Sequence, residues 1–256
     1  MQLVPIAVAL TALLPAQPPP DEALPLAPPG KVWKLAFSDE FAGRKLDESR
    51  WEAPPDAARR DGWWMRKAVT LDGRGHLVIE TRKDGDRWVD GCVRTRGRFE
   101  HAFGYYVVRA RMPTQPGHWP AFWLYNACEG NPGEGGVNGA EIDIFEKPWL
   151  EDRINCALHW DGYGPEHRSS GKRFEVPGVS KGWHTFALWW SEETYVFYVD
   201  GKEIWRTADG GVCREPLYVK LSDEIGDWAG DIRRARLPDR FVVDYVRVYD
   251  LVDGAP

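Results

Sequence analysis

Residues 195–205, Tyr-Val-Phe-Tyr-Val-Asp-Gly-Lys-Glu-Ile-Trp, hold an Asp-Gly pair between two runs of β-branched and aromatic residues. Asp and Gly tolerate the positive φ angles of the tight turns that join antiparallel strands. The stretch therefore predicts a β-hairpin, with one strand over Tyr195–Val199 and the second over 202–205.

Similar short runs recur along the chain and are separated by Gly, Pro and Asp turns. They cover residues 32–37, 77–81, 105–111, 141–146, 155–160, 185–190, 217–221 and 242–249. We find no internal repeat and no helical periodicity of useful length. Many short strands without intervening helices predict an all-β fold, an antiparallel sandwich in a single domain over residues 31–252.

Composition excludes several classes of protein. The hydrophobic fraction of 43% is high enough for a packed core, and the formal net charge of −6 argues against a nucleic-acid partner. We find no apolar run of the roughly 18 residues that a membrane span needs. The 14 tryptophans favour carbohydrate binding only mildly, because tryptophan stacks on sugar rings but is also a good core residue.

The N-terminal region resembles an export signal. Residues 1–16 are mostly apolar, and the proline-rich residues 17–30 follow them. We interpret the first segment as a signal peptide and the second as a leader. A secreted or periplasmic protein is therefore expected.

The four cysteines leave the redox state open. Their spacing contains no C-x-x-C pair, which gives a zinc or redox site little support. Three pairings are possible if all four are bridged, and buried free thiols are an equal alternative. The cysteines are Cys92, Cys128, Cys156 and Cys213.

The acidic strand at residues 139–146, Gly-Ala-Glu-Ile-Asp-Ile-Phe-Glu, carries the chemistry. Glu141 and Asp143 share one face of a regular strand, but Glu146 falls out of phase with them. A single β-bulge near Ile144 or Phe145 returns Glu146 to the acidic face, and such bulges are common beside active sites. We therefore predict a bulge here.

Three adjacent acids on one surface raise the pKa of at least one of them. Two carboxyls with separated pKa values suit glycoside hydrolysis, in which one acts as nucleophile and the other as acid. Two alternatives are a solvated sheet face and a calcium-binding cluster.

The hexapeptide over Glu141–Glu146 resembles the catalytic signature of glycoside hydrolase family 16 in its bulged form, with two residues between the Asp and the second Glu. Other segments resemble the family's strands in the same order. They are residues 33–43, 105–113, 118–123, 183–185, 198–201 and 243–249.

This resemblance implies a concanavalin A-like β-jelly roll, a sandwich of two curved antiparallel sheets. It also implies a retaining mechanism, with Glu141 as nucleophile, Asp143 as the assisting acid and Glu146 as general acid/base. No cofactor is required for such catalysis, and the expected partner is a polysaccharide bound by a monomer.

Five further residues are candidates for substrate binding. Trp119 and Trp123 share a strand face by parity, and the resemblance makes Trp119 a sugar platform while Trp123 is alternatively a core residue. His159 resembles a cleft histidine, and Trp228 lies in a turn-rich stretch suited to a cleft rim. Arg94 shares a predicted strand face with two further arginines, a row that suits a sulfated sugar or a solvated edge.

The resemblance also implies a structural calcium ion away from catalysis. By position its ligands include Glu40 and Asp244, although Asp244 is alternatively a strand cap.

The family's substrates include β-1,3- and mixed-linkage glucans and algal galactans. Residues 119–123, Trp-Pro-Ala-Phe-Trp, resemble laminarinases, whereas residues 221–226, Leu-Ser-Asp-Glu-Ile-Gly, depart from them. We expect an endo-hydrolase of β-1,3(4)-glucan. The alternatives are an agarase-, porphyranase- or carrageenase-type enzyme, a transglycosylase and a non-catalytic glycan-binding module.

Overall fold

The computed structural model describes residues 24–126 and 133–254, and nearly all of its regular structure is β-strand. The strands are β1 (Lys31–Asp39), β2 (Ala57–Arg59), β3 (Gly62–Trp64), β4 (Val69–Leu71), β5 (Leu77–Asp84), β6 (Arg87–Asp90), β7 (Cys92–Arg94), β8 (Glu100–His101), β9 (Gly104–Arg111), β10 (Ala121–Tyr125), β11 (Glu141–Glu146), β12 (Arg153–Trp160), β13 (Arg168–Glu175), β14 (His184–Trp190), β15 (Tyr195–Val199), β16 (Lys202–Thr207), β17 (Leu217–Ser222) and β18 (Asp239–Asp253). Short 3-10 helices cover Arg66–Ala68, Gly135–Asn138, Asp227–Ala229 and Ile232–Arg234.

Two sheets form the sandwich. The first has eleven strands in the order β16-β15-β14-β9-β18-β5-β6-β3-β2, with β1 paired to β18 and β4 to β5. The second has seven, in the order β13-β12-β11-β10-β17-β7, with β8 paired to β17. All pairs are antiparallel except β3 with β6. The predicted β-jelly roll is confirmed.

The predicted hairpin joins β15 to β16. Val199 pairs with Lys202, and the two residues between them, Asp200 and Gly201, have φ angles of 47° and 72°. Positive φ at both central residues is the mark of a type I′ turn, whose twist matches that of the strands. The other predicted strands also form, whereas the polar β13 was not predicted.

The core lies between the sheets, and phenylalanines connect them. Phe145 of β11 is fully buried, and its ring lies 4.1 Å from that of Phe186 in β14 and 6.1 Å from that of Phe241 in β18. Because Phe145 adjoins Glu146, core packing fixes the backbone that carries an acid.

The predicted signal peptide at residues 1–16 and the first part of the leader lie outside the described residues. The end of the leader packs on the first sheet, where Leu24 contacts a cluster of buried tyrosines and aliphatic residues. The Nε1 of Trp33 also donates a hydrogen bond of 2.8 Å to the carbonyl of Pro25.

Within residues 24–126 and 133–254, no helix is long and apolar enough to cross a membrane.

The two cysteines Cys92 and Cys156 are buried free thiols. Burial raises the pKa of Cys92 to about 11, which keeps its thiol protonated. The pairings that bridge all four cysteines therefore do not hold. Cys128 lies outside the described residues.

Replacing Phe145 by Ala should lower the free energy of unfolding by about 3–5 kcal/mol, because it leaves a cavity where three rings meet. Urea unfolding followed by tryptophan fluorescence measures this. Leu150→Ala is the matched control, since Leu150 is 49% exposed and should change stability little. A loss below about 1 kcal/mol for Phe145→Ala would contradict the packing role.

Candidate active site

A bulge in β11 brings the three predicted acids to one face of the seven-stranded sheet. Two consecutive residues of β10 pair with Phe145 and Asp143, which leaves Ile144 as the extra residue. The register against β12 shifts between Asp143 and Glu146 as well. The predicted bulge is confirmed: Ile144 and Phe145 stay in the core, while Glu141, Asp143 and Glu146 line one pocket.

This pocket and an adjoining one share residues, and we call them together the cleft. Its lining residues are Arg59, Arg60, Trp119, Ala121, Trp123, Glu141, Asp143, Glu146, Asn155, Ala157, His159, Tyr163, Ser169, Ser170, Gly171, Arg173, Ser222, Glu224 and Trp228.

Glu146 is buried and hydrogen-bonded through both carboxyl oxygens. Trp119 Nε1 donates to Oε1 at 2.8 Å, and Asn155 Nδ2 donates to Oε2 at 2.9 Å. Burial and then the charge of Asp143 raise the pKa of Glu146 well above its usual range, although both donors lower it. The protonated form is therefore favoured, as a general acid requires.

Glu141 is easier to ionise. Burial raises its pKa, but a hydrogen bond from the Tyr163 hydroxyl and the charges of His159 and Lys220 counteract this. The rise is smaller than the one at Glu146. The two glutamates therefore have unequal proton affinities, as the sequence argument required.

Asp143 lies between the two glutamates along β11 and is 3% exposed. Burial and then the charge of Glu141 raise its pKa well above its usual range. His159 Nε2 lies 3.3 Å from its Oδ2. A buried carboxyl with this environment favours the protonated form and can support a neighbouring carboxylate.

The structure places all three predicted tryptophans on the cleft. The Arg60 guanidinium lies 4.2 Å from the centroid of the Trp119 ring, and the Trp228 ring meets Trp119 edge-on at 4.6 Å. Trp123 is 6% exposed and donates to Ser222 Oγ at 3.0 Å. Their contact with sugar stays a prediction.

Sequence reasoning missed several cleft residues. Asn155 shares its strand face with His159, so parity along β12 was a usable signal. Tyr163 lies in a loop, where no periodicity places a side chain. Arg60 and Glu224 come together only because distant segments meet.

Residues 221–226, which depart from the pattern of laminarinases, hold the Trp119 segment of the cleft in place. Asp223 is fully buried and lies 2.7 Å from His118 Nδ1, and it accepts hydrogen bonds from Thr81 Oγ1 at 2.8 Å and from the Trp119 amide at 3.0 Å. Burial works against a charged His118, but the charges of Asp223 and Asp239 outweigh it and raise its pKa. This network fixes the backbone at Trp119.

Glu224 neutralises two arginines at the cleft wall. Arg59 Nη2 lies 2.8 Å from its Oε1, and Arg60 binds its Oε2. The Glu224 backbone also pairs with Trp119, at 2.9 and 3.2 Å. The ion pairs hold Arg60 over the Trp119 ring.

The predicted row of arginines is wrong. β7 ends at Arg94, and Arg96 and Arg98 lie in the following turn, because the strand pairs with β17 only over residues 92–94. Arg94 donates to Glu52 Oε2 at 2.8 Å and is not among the described residues that line the cleft. The structure does not bring Arg94 to the acids.

The side chains of the predicted calcium ligands do not fit a shared ion. Glu40 accepts two hydrogen bonds from Arg247, at 2.8 and 2.9 Å, and Asp244 is bound by Arg109. The guanidinium groups engage both carboxyl oxygens of Glu40 and Oδ2 of Asp244, and their positive charge repels a second cation at these side chains.

Glu141, Asp143 and His159 are the group of acids and histidines, among the described residues, whose ligand atoms lie within 4.8 Å of one another. Glu141 and Asp143 line one pocket with Glu146, and we assign this group to acid–base chemistry.

The fold and the acidic site define a glycoside hydrolase. The model of the Glycosyl hydrolases family 16 matches residues 58–247, most of the chain. The chain belongs to this family.

Named relatives support this assignment. The chain is 25% identical over 250 residues to the beta-glucanase of Rhodothermus marinus, and the match covers 86% of the chain and 86% of that enzyme. It is 29% identical over 252 residues to an endo-1,3-1,4-beta-glycanase of Rhizobium meliloti (strain 1021), and this match covers 86% of the chain but 52% of that enzyme. The structure of the endo-beta-1,3-glucanase of Pyrococcus furiosus superposes with a TM-score of 0.73 at 26% identity, over 91% of the chain and all of that enzyme.

Glu146→Gln should stabilise the protein increasingly as the pH rises. Because folding raises the pKa of Glu146, its protonated form stabilises the wild type fully below about pH 4.5, and this is lost as the pH rises through the folded-state pKa. The difference grows by about 1.4 kcal/mol per unit of raised pKa. Urea unfolding of both proteins between pH 4 and pH 8 measures it. A constant difference would contradict the shift.

Proposed function

We propose that the protein is a retaining endo-hydrolase of a β-1,3(4)-linked glucan. The observation that carries this proposal is the pair Glu141 and Glu146, which lie on one face of a bulged strand in environments that separate their pKa values. Retaining glycosidases use such a pair, with one carboxylate as nucleophile and one carboxylic acid as proton donor.

Glu141 acts as the nucleophile, because donors and cations around it favour its ionised form. It attacks the anomeric carbon and forms a covalent glycosyl-enzyme intermediate while Glu146 protonates the leaving oxygen. Glu146, now ionised, takes a proton from a water molecule that hydrolyses the intermediate. Asp143 supports the charge of Glu141 through the first step. This mechanism needs no cofactor.

Trp119 positions the acid and forms part of the sugar platform. Its Nε1 is committed to Glu146, and Arg60 lies over its ring. A sugar that stacks on the exposed part of Trp119 is thereby held beside the proton donor. Trp228 and Trp123 extend the aromatic surface of the cleft.

A glucan is the first choice of substrate because of the family relatives. The beta-glucanase of Rhodothermus marinus matches the chain over most of both lengths. The longer Rhizobium meliloti enzyme is also named for β-glycan cleavage, although the chain spans about half of it.

A sulfated galactan is the second candidate, and one arginine of the cleft favours it. Arg173 lines the cleft and is exposed, whereas Arg60 is paired with Glu224. Guanidinium groups bind sulfate esters through charge-assisted hydrogen bonds. A transglycosylase would use the same acids and differ in its acceptor. A non-catalytic module is disfavoured, since it has no need of three acids in one pocket.

The apolar residues 1–16 support export to the periplasm or the medium, where a polysaccharide is accessible. We propose that the exported protein acts as a monomer.

Glu141→Gln and Glu146→Gln should each lower the rate of hydrolysis at least about 10³-fold, because each removes a group that acts in the transition state. Reducing-sugar release measures activity, and affinity electrophoresis should show that glycan binding remains. Azide should restore turnover of an activated substrate in Glu141→Gly, with inverted product. Rescue with retained configuration would reverse the two roles, and full activity in either Gln variant would refute the mechanism.

A panel of polysaccharides tests the substrate. We expect internal cleavage of laminarin and lichenan, seen as intermediate-sized oligosaccharides, and no release from agarose, porphyran or carrageenan. The Glu146→Gln protein is the control for contaminating activity. Release from a sulfated galactan but not from laminarin would replace the first candidate by the second.

A further inference from the structure

We propose that the loop of residues 161–167, between β12 and β13, supplies two positioning residues to the acids. Tyr163 holds the carboxylate of Glu141, and His167 fixes the ring tautomer of His159 that faces Asp143. This inference rests on the proposed function.

Tyr163 reaches the proposed nucleophile from the loop. Its hydroxyl donates to Glu141. Tyr163 is 56% exposed, but its hydroxyl lies against Glu141. Loss of water around that hydroxyl and then the negative charge of Glu141 raise the pKa of Tyr163, so the hydroxyl keeps its proton. A neutral donor of this kind stabilises the ionised carboxylate and orients its second oxygen toward the cleft.

His159 has a neighbour at each of its ring nitrogens. Its Nδ1 is hydrogen-bonded to Nε2 of His167 at 3.0 Å, and its Nε2 lies 3.3 Å from Asp143 Oδ2, a buried oxygen that has no hydrogen-bond partner among the described residues. The two imidazole planes are inclined by 8°, so their nitrogens face each other nearly in plane. A neutral imidazole has one N–H and one lone pair, so the partner at one nitrogen decides which hydrogen the other carries.

The contact with Asp143 determines which tautomer is favoured. Burial and then the neighbouring His159 lower the pKa of His167, which favours its neutral ring with a single N–H. If that hydrogen is on Nε2, it is donated to His159 Nδ1, and His159 carries its own hydrogen on Nε2, toward Asp143. With the Asp143 proton on the oxygen that supports Glu141, Oδ2 is an acceptor, and the reverse arrangement would direct a lone pair at it.

The loop is anchored so that Tyr163 reaches the cleft and His167 reaches His159. Asp161 is 8% exposed and has a φ of 59°, in the left-handed region that Asp tolerates. Its Oδ1 accepts hydrogen bonds from the amides of Gly133 and Gly135, each at 3.0 Å. The rings of Tyr163 and His167 then stack, with centroids 5.2 Å apart.

The charged groups around Glu141 define the expected effect. Lys220 lowers its pKa, as does His159 when its ring is charged, whereas the negative charge of Glu224 raises it. Loss of the Tyr163 donor, or of an N–H directed from His159 toward the acids, should therefore raise the pKa of Glu141. The acid limb of the kcat/KM profile would move to higher pH.

Four variants separate this role from packing. Tyr163→Phe keeps the ring and removes the hydroxyl. His167→Phe keeps the stacked ring and removes the nitrogens, whereas His167→Gln removes the ring but retains an N–H donor. Glu166→Gln, in the same loop, changes an exposed side chain and is the matched control.

We expect Tyr163→Phe and His167→Phe to lower kcat for laminarin about fivefold, with KM nearly unchanged and the acid limb shifted upward. His167→Gln should retain more activity than His167→Phe, with the acid limb close to that of the wild type. Glu166→Gln should behave as the wild type. Thermal unfolding of each variant checks that it folds.

A measurement without substrate keeps the proposal independent of activity. The ¹⁵N shifts of the labelled histidine rings distinguish the two tautomers, and His159 should carry its hydrogen on Nε2 in the wild type but not uniquely in His167→Phe. A hydrogen on His159 Nδ1 in the wild type, or an unmoved acid limb in both Phe variants, would overturn this proposal. If the wild type still hydrolysed laminarin, the proposed function would stand. A wild type inactive on every polysaccharide would refute the proposed function, and the ring shifts alone would then decide the tautomer.

Discussion

The bulge at Ile144 satisfies two requirements that a regular strand cannot meet together. Phe145 has to enter the core, where its ring packs on Phe186 of the opposite sheet. Glu146 has to leave the core on the side that Glu141 occupies, although their odd spacing opposes this. One extra residue restores the phase, and the pairing of β11 with both β10 and β12 shifts its register at this point. The packing of Phe145 against the opposite sheet therefore determines where Glu146 lies relative to Glu141.

Burial of the acids produces their reactivity. A carboxyl taken out of water favours its neutral form, and a second acid nearby adds to the effect. The structure then divides the acids by their neighbours. Glu146 receives two neutral donors, from Trp119 and Asn155, and still favours the proton. Glu141 receives the Tyr163 hydroxyl and nearby cations, which ease its ionisation. Unequal surroundings give two chemically identical side chains different roles.

The wall of the cleft depends on a buried network around the Trp119 segment. Asp223 binds His118 and the backbone of Trp119, and Glu224 binds Arg59 and Arg60. These contacts explain why residues 221–226 differ from the pattern expected of laminarinases: this stretch supplies carboxylates that hold the Trp119 segment and its arginine in place. The departure thus bears on how the sugar platform is supported as well as on which sugar it binds.

Local pattern determined much of this protein. Strand alternation, the Asp-Gly turn and the acid spacing gave the hairpin, the sandwich and the bulge at Ile144, because these follow from backbone geometry over a few residues. Only the tertiary structure decided the contacts between residues that are distant in sequence, which these local rules do not predict. Arg94 was assigned to a strand face with residues that lie in a turn, since the length of β7 depends on its partner β17. Glu40 and Asp244 pair with arginines distant in sequence, and Tyr163 meets Glu141 only because a loop folds back. Such contacts depend on long-range packing, which short-range periodicity does not encode.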